Sequence, residues 1–212
     1  MNILMLKLLL KGAVITIEIS LIAILLGFIS GTVLGVLSSN KIRITGLTLL
    51  IQTYVSIIRG TPIFVQLLII YFALPKALGI NISSFMAGVI TLSLNSTAYL
   101  SEAIRAGINA IAPGQWEAAY VLGYSKLQSL RYIVLPQALQ NILPAITNEL
   151  ISLIKESSIL MVIGVPEITK SSKEIVAREL NPMEIYLTAA VLYFVITFAL
   201  SQLTKGLERR QH

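Results

Sequence analysis

Apolar residues gather into five long stretches of this chain, and polar residues mark their ends and a few places inside them. Ala13–Leu37 carries Glu18 as its one charge, Ile44–Leu74 is interrupted by Arg59-Gly60-Thr61-Pro62, and Ser83–Ser101 is dotted with Ser, Thr and Asn. Ile133–Gly164 contains Pro144, Glu149, Lys155 and Glu156, and Ile185–Thr204 is free of charge. A spanning helix needs about 20 mainly apolar residues. The pattern therefore predicts one all-α integral membrane domain over residues 1–212, with spans at about 13–37, 44–74, 83–101, 133–164 and 185–204. The first stretch is too long for a cleaved signal peptide and lacks a convincing cleavage site. The connections are short except Gly107–Tyr132 and Val165–Glu184.

The polar residues inside the spans have their own periodicity. Asn148, Ser152 and Lys155 follow i, i+4, i+7, while Glu149, Ser152 and Glu156 follow i, i+3, i+7. Together they form one stripe of a helix whose other side is Leu150, Ile151, Leu153 and Ile154. Asn95, Tyr99 and Glu102 share a face of the third span; Glu102 and Arg105, at i, i+3, are expected as a structural pair near its end. At about 1.5 Å per residue, Arg59, Asn95 and Asn148–Ser152 fall at similar depths. A charge at the bilayer centre costs about 2.5–3.5 kcal/mol on insertion scales, so such groups are expected to face a partner or water. Pro62 disfavours helix at Thr61. A half-helix starting there, with Thr61 as N-cap and Pro62 at N1, would aim its free N–H groups at a carboxylate; the alternative is a simple kink with Arg59 paired to a Glu of another span.

Composition confirms the class and removes much chemistry. The chain is 56% hydrophobic and 12% charged, about half the charge of a soluble domain, and its mean hydropathy is +0.84. It has no Cys, every acidic residue is Glu, and the one His is the terminal His212. Thiolate or His metal sites and Ser-His-Asp triads are excluded, and a membrane-embedded enzyme is thereby disfavoured. No phosphate-binding G-x-x-x-x-G-K-[ST] is present, so the chain cannot hydrolyse nucleotide through that motif. The formal charge of +6 reads as Lys and Arg anchoring cytoplasmic loops, with no nucleic-acid partner. Placing the C-terminus inside gives that side Lys41, Arg43, Arg105, Lys126, Arg131, Lys205, Arg209 and Arg210, eight against the six of Lys7, Lys11, Lys76, Lys170, Lys173 and Arg178. The expected orientation is N-terminus outside, C-terminus cytoplasmic. Lys7 and Lys11 oppose it unless Asn2–Lys11 lies in the interface as a short amphipathic segment.

The connection at 107–132 carries the most specific signal. Pro113 suits a helix start, Glu117 is expected in the first turn, Gly123 interrupts the pattern, and Pro136 stands at the entry of the fourth span. The run Glu117-Ala118-Ala119, three residues, Gly123, nine residues, then Ile133-x-Leu135-Pro136 resembles the EAA loop of permease subunits of bacterial ABC importers. Pro113-Gly114-Gln115, Leu135-Pro136-Gln137-Ala138, Lys155-Glu156-Ser157-Ser158 and Arg59-Gly60-Thr61-Pro62 resemble the polar amino-acid uptake branch, and the resemblance covers nearly the whole chain.

The resemblance implies a cytoplasmic-membrane importer. It would comprise a second permease subunit (a copy of this chain favoured over a paralogue), two ATP-binding subunits carrying ATP and magnesium, and an extracytoplasmic amino-acid-binding protein. This chain would hold no cofactor. Pro113, Gly114, Trp116, Glu117, Ala118, Ala119 and Gly123 would form the coupling helix and its turn, the small alanines permitting close approach to the ATPase. Trp116, Tyr120 and Tyr124 would supply contact area or, alternatively, anchor in the interface. Substrate contact is expected at Arg59, Gly60, Thr61, Gln66, Asn95, Tyr99, Glu149, Ser152, Lys155, Glu156, Ser157 and Ser158. Glu149 and Glu156 tilt the expectation toward a basic amino acid; Arg59 and Lys155 suit an acidic one equally, and glutamine or another neutral-polar amino acid is the alternative.

Overall fold

The computed structural model describes residues 3–42 and 44–208, with side chains up to 204. Asn2, Arg43, Arg209, Arg210 and His212, and the side chain of Lys205, lie outside the described residues. Every regular element described is helical: α1 Ile3–Ser38, α2 Thr45–Gly60, α3 Ile63–Leu68, α4 Leu74–Leu78, α5 Ser84–Asn109, α6 Pro113–Val121, α7 Lys126–Ser129, α8 Leu135–Glu156, α9 Ile168–Glu179 and α10 Pro182–Glu208.

One contact sets the frame. The largest helix–helix contact is α1 against α5. Gly27 lies against Ser96, Gly31 against Leu100 and Gly35 against Ser101 and Ile104, so the two helices run parallel, and a Cβ on these glycines would sit 2.6–3.0 Å from the nearest α5 atom. Small residues spaced four apart let membrane helices approach closely, and van der Waals contact then holds them. The α1–α2 turn is tied to the end of α5 by Asn40 N–H donating to Asn109 Oδ1 at 3.0 Å. Helix α8 runs antiparallel to α5, with Ile142 against Gly107 and Leu160, just beyond α8, against Gly88. Helix α10 runs parallel to α1, pairing Ile185 with Leu9 and Ala189 with Ala13.

Several expected boundaries change. Helix α1 is continuous for 36 residues, so the segment up to Lys11 is not a separate interfacial element: Gly12 packs on Glu167 and Ser171, and Leu9 is fully buried. The second apolar stretch is not one straight helix, because α2 and the helical run Ile63–Leu78 meet at a bend of 103°. Thr61 is not the N-cap; it ends α2 in extended geometry, and Pro62, with ψ 131, takes the cap position. Thr61 Oγ1 instead donates back to Ile57 O at 2.8 Å. The fourth stretch is α-helical only to Glu156 and then tightens into a 3-10 helix, Ser157–Ile163. It ends at Gly164, φ 87, a conformation that costs glycine little.

Two π turns, Ile69–Ala73 and Leu130–Val134, each end immediately before a Leu-Pro pair. Pro75 and Pro136 have no N–H for the regular ladder. The chain widens instead: Leu74 N–H reaches Ile69 O and Leu135 N–H reaches Leu130 O. Val165–Glu184 is not a plain loop, since it contains α9. Glu167, fully buried, caps α9 by accepting from Thr169 N–H at 2.8 Å, Lys170 N–H at 2.7 Å and Tyr193 O–H of α10 at 2.7 Å. Burial pushes its carboxyl up despite these donors.

By length and apolarity α1 and Pro182–Thr204 of α10 can each cross a membrane, and α2 with Ile63–Leu78 would be a third, broken crossing. Helices α5 and α8 are long enough, at 26 and 22 residues, but their polar faces keep them from being apolar throughout.

The glycine row gives a direct test. Gly27→Ala places a methyl against Ser96, whereas Gly46→Ala on α2 meets open space. Overpacking costs roughly 1–3 kcal/mol, so Gly27→Ala is expected to lower the melting temperature of the detergent-purified protein and Gly46→Ala to leave it unchanged or raise it. Equal melting temperatures would show that the α1–α5 contact is not tight.

Candidate functional site

The polar stripe of α8 faces away from the packed core. Leu153 and Ile154 are buried against the other helices, whereas Asn148 and Lys155 are exposed and Glu149, Ser152 and Glu156 half-buried. Glu149 lies beside Ser96 of α5, and Glu156 stands two turns further along the same face of α8. On α5, Asn95 is buried and Tyr99 partly exposed. The Arg59 guanidinium of α2 sits 4.9 Å from the centre of the Tyr99 ring, a cation–π geometry. Three elements thus bring polar groups to one level: Arg59 from α2, Asn95, Ser96 and Tyr99 from α5, and Glu149 from α8. Arg59 makes no ion pair with a Glu of another element among the described residues; its contact is aromatic.

Other expected contact residues sit elsewhere. Gln66 is buried in the bend, where its side-chain amide donates to Ile58 O at 2.8 Å, Thr61 O at 3.1 Å and Thr61 Oγ1 at 2.9 Å. It braces the two helical pieces at 103° to one another. Gly60 and Thr61 are exposed, with open space around Gly60. Ser157 is fully buried, and its hydroxyl donates to Ile154 O at 2.8 Å; Ser158 is half-buried. Toward the end of α5, Glu102 and Arg105 form the expected pair through two hydrogen bonds of 2.7 and 3.1 Å. They, with Gln52, Val55, Ser56 and Arg59, line a cleft of about 300 Å³ between α2 and α5. Among the described residues no three His, Cys, Asp or Glu side chains gather as metal ligands.

The 107–132 connection folds as a helix, a turn and a second helix. Pro113 opens α6 after the N-cap Ala112. Gly123, φ 82, closes it: Gly123 N–H bonds Tyr120 O and Tyr124 N–H bonds Ala119 O, both at 3.0 Å. That is the paired C-terminal motif that favours glycine. Ser125 and Gln128 then cap α7 reciprocally, at 3.3 and 2.8 Å. Two expectations need correction. Glu117 falls in the second turn, because the helix begins at Pro113. Ala119 is fully buried and Trp116 packs inward on the cluster of Ile104, Ile108 and Leu130, so neither offers its side chain outward. Pro113, Gly114, Glu117 and Ala118 are exposed. The outward surface also includes Tyr120, Val121, Leu122 and Leu127, which are 81%, 84%, 73% and 70% exposed. The last three were invisible to motif reasoning; the available signal was apolar residues inside a connection otherwise expected to be polar.

Known proteins resemble this chain in sequence and in fold. The family model described as "Binding-protein-dependent transport system inner membrane component" matches residues 23–212. The chain is 42% identical to a putative glutamine transport system permease protein of Rickettsia bellii, over 94% of this chain and 91% of that one. It is 42% identical to the arginine transport system permease protein of Bacillus subtilis, over 95% and 91%. A crystal structure of an amino acid ABC transporter with histidines matches with TM-score 0.88 at 40% identity, over 96% of this chain and 94% of that one. A chain that matches the family model across most of its length and these permeases at such identity belongs to the binding-protein-dependent inner membrane component family, as the membrane subunit of an ABC importer whose ATPase resides on a partner.

Proposed function

We propose that this permease moves a polar amino acid across the bacterial cytoplasmic membrane by alternating access, driven by ATP and magnesium on a pair of partner ATPases and supplied by an extracytoplasmic binding protein. The observation that carries the reading is the α8 stripe. Glu149, Ser152, Lys155 and Glu156 present charge on the open face of a helix in the bundle, where lipid would penalise it and an aqueous path would not. Arg59, Asn95 and Tyr99 face the same path from α2 and α5. The names of the relatives, glutamine and arginine permeases, fit a site with acids and an amide: a cationic side chain would meet Glu149 and Glu156, and glutamine would meet Asn95 and Ser152.

The chain crosses five times, with α1, α5 and α10 parallel and α8 and the broken α2–α4 segment returning, which places the N-terminus outside and the C-terminus in the cytoplasm. Helix α6 is the coupling helix, and its exposed Tyr120 and Val121, with Leu122 just beyond its end, dock into the ATPase. A second copy of this chain completes the permease.

Three measurements test these statements. Single cysteines at Ser125 and Ala177, both exposed, are expected to react with an impermeant maleimide from opposite sides of sealed vesicles, Ser125 from the cytoplasmic side; reaction from one side only refutes five crossings. Gly123→Val forces a branched residue to φ 82, so it is expected to keep membrane insertion but weaken capture of the ATPase subunit; undiminished capture and transport would deny the turn a coupling role. Glu156→Gln keeps size and hydrogen bonding but removes the charge. Since a charge-assisted hydrogen bond is worth about 1.5–3 kcal/mol, arginine affinity of the purified complex is expected to fall roughly 10- to 100-fold. Unchanged arginine binding with a lower melting temperature would make Glu156 a structural residue.

A further inference from the structure

The transport reading places Arg59 on the path but leaves Glu102 and Arg105, which share the α2–α5 cleft with it, without an assignment. The cleft holds about 300 Å³, at the lower end of the roughly 300–1,000 Å³ of ligand pockets, which suits one small polar molecule. Its wall carries both signs of charge: Arg59 and Arg105 against Glu102. Glu102 is already oriented by Arg105 through two hydrogen bonds, of 2.7 and 3.1 Å. Arg59 is held by its ring contact with Tyr99 at 4.9 Å, and among the described residues no carboxylate lies within ion-pair reach of it. A guanidinium held beside a ring still has N–H donors to offer, in the fork that matches a carboxylate. Gln52 and Ser56, exposed on α2, add neutral polar groups to the same wall. Such a cluster facing lipid would be costly, so the cleft is an aqueous recess.

The cleft begins at Arg59, level with the acids of α8, and its Glu102–Arg105 end extends away from them. Glu149 is level with Ser96 of α5, whereas Glu102 lies about two turns further along α5, toward the end that the proposed topology places at the cytoplasm.

We infer that the cleft is a second, inner binding station that holds the zwitterionic backbone of the transported amino acid. Arg59 takes the α-carboxylate, and Glu102, steadied by Arg105, takes the α-ammonium. The inference rests on the transport reading and extends it: the α8 acids read the side chain, and the inner station reads the part that all amino acids share. The molecule is handed from the first set to the second on its way to the cytoplasm.

The chain has no cysteine, so Ser56→Cys introduces a single thiol into the cleft wall. The complete transporter, permease with its ATPase partner in lipid nanodiscs, is treated with maleimide and labelling is read on the permease. Glutamine and arginine are expected to slow labelling in a concentration-dependent way without the binding protein present. Glutamine with its α-carboxylate converted to the amide, and N-acetyl-glutamine, are expected to protect poorly. Adding Arg59→Gln is expected to raise the half-protecting concentration roughly 10- to 100-fold, and Arg59→Lys, which keeps the charge, to recover part of it. Equal protection by the α-amide, or no effect of Arg59→Gln in an assembly that still hydrolyses ATP, would overturn the station. If the transporter carries out amino-acid uptake while the thiol stays unprotected, the station alone fails. If no amino acid is taken up at all, the transport reading fails and the station falls with it.

Discussion

The row of glycines on α1 is the constraint from which the bundle follows. Gly27, Gly31 and Gly35 allow α1 to lie against α5 so closely that a single methyl would collide. In a bilayer, where lipid is as apolar as leucine, contact of this kind replaces the hydrophobic drive of a water-soluble core. With α1 and α5 parallel and touching, the chain between them must turn back, and it does so through the bent α2–α3 junction. Helix α8 then packs antiparallel on α5, and its polar stripe is left on the open side. The location of the charges is therefore a consequence of which faces the small residues consume.

Two devices keep that arrangement compatible with prolines and polar groups inside helices. At the bend, one buried side chain, Gln66, satisfies carbonyls that Pro62 leaves without helical partners. At Leu74-Pro75 and Leu135-Pro136 the ladder widens by one residue, so the missing proline donor is absorbed without breaking the rod. The second of these lies between α7 and α8, so α7, the π turn and α8 form one continuous helical rod from the α6 surface to Glu149 and Glu156.

Much of this was legible in the sequence because it is periodic or local. The stripe Asn148, Glu149, Ser152, Lys155, Glu156 emerges from spacing alone, as do the Glu102–Arg105 pair, the Gly123 turn and the break at Pro62. The Gly27, Gly31, Gly35 spacing was equally visible, but only a partner helix gives it meaning. What stayed hidden depends on contacts distant in sequence. Glu167 is a buried cap because Tyr193, from the next helix, reaches it. Ala119 and Trp116 turn inward because the ends of α5 and the start of the α8 rod form an apolar platform beneath them. Gln66 and Ser157 look like polar residues lining a path, yet each is absorbed by backbone carbonyls nearby. Helix α9 is short and rich in charge, so hydropathy reads it as loop, although Ile168 and Ile175 give it a buried side.

If the polar face assembled from α2, α5 and α8 is the path for amino acids proposed above, uptake shows it most directly, measured with the permease, its ATPase and its binding protein reconstituted together in vesicles with ATP enclosed on the cytoplasmic side. A permease with this interior will accumulate labelled glutamine or arginine only when ATP is present, and will leave leucine outside. An intact assembly that hydrolyses ATP yet accumulates neither polar amino acid would contradict it.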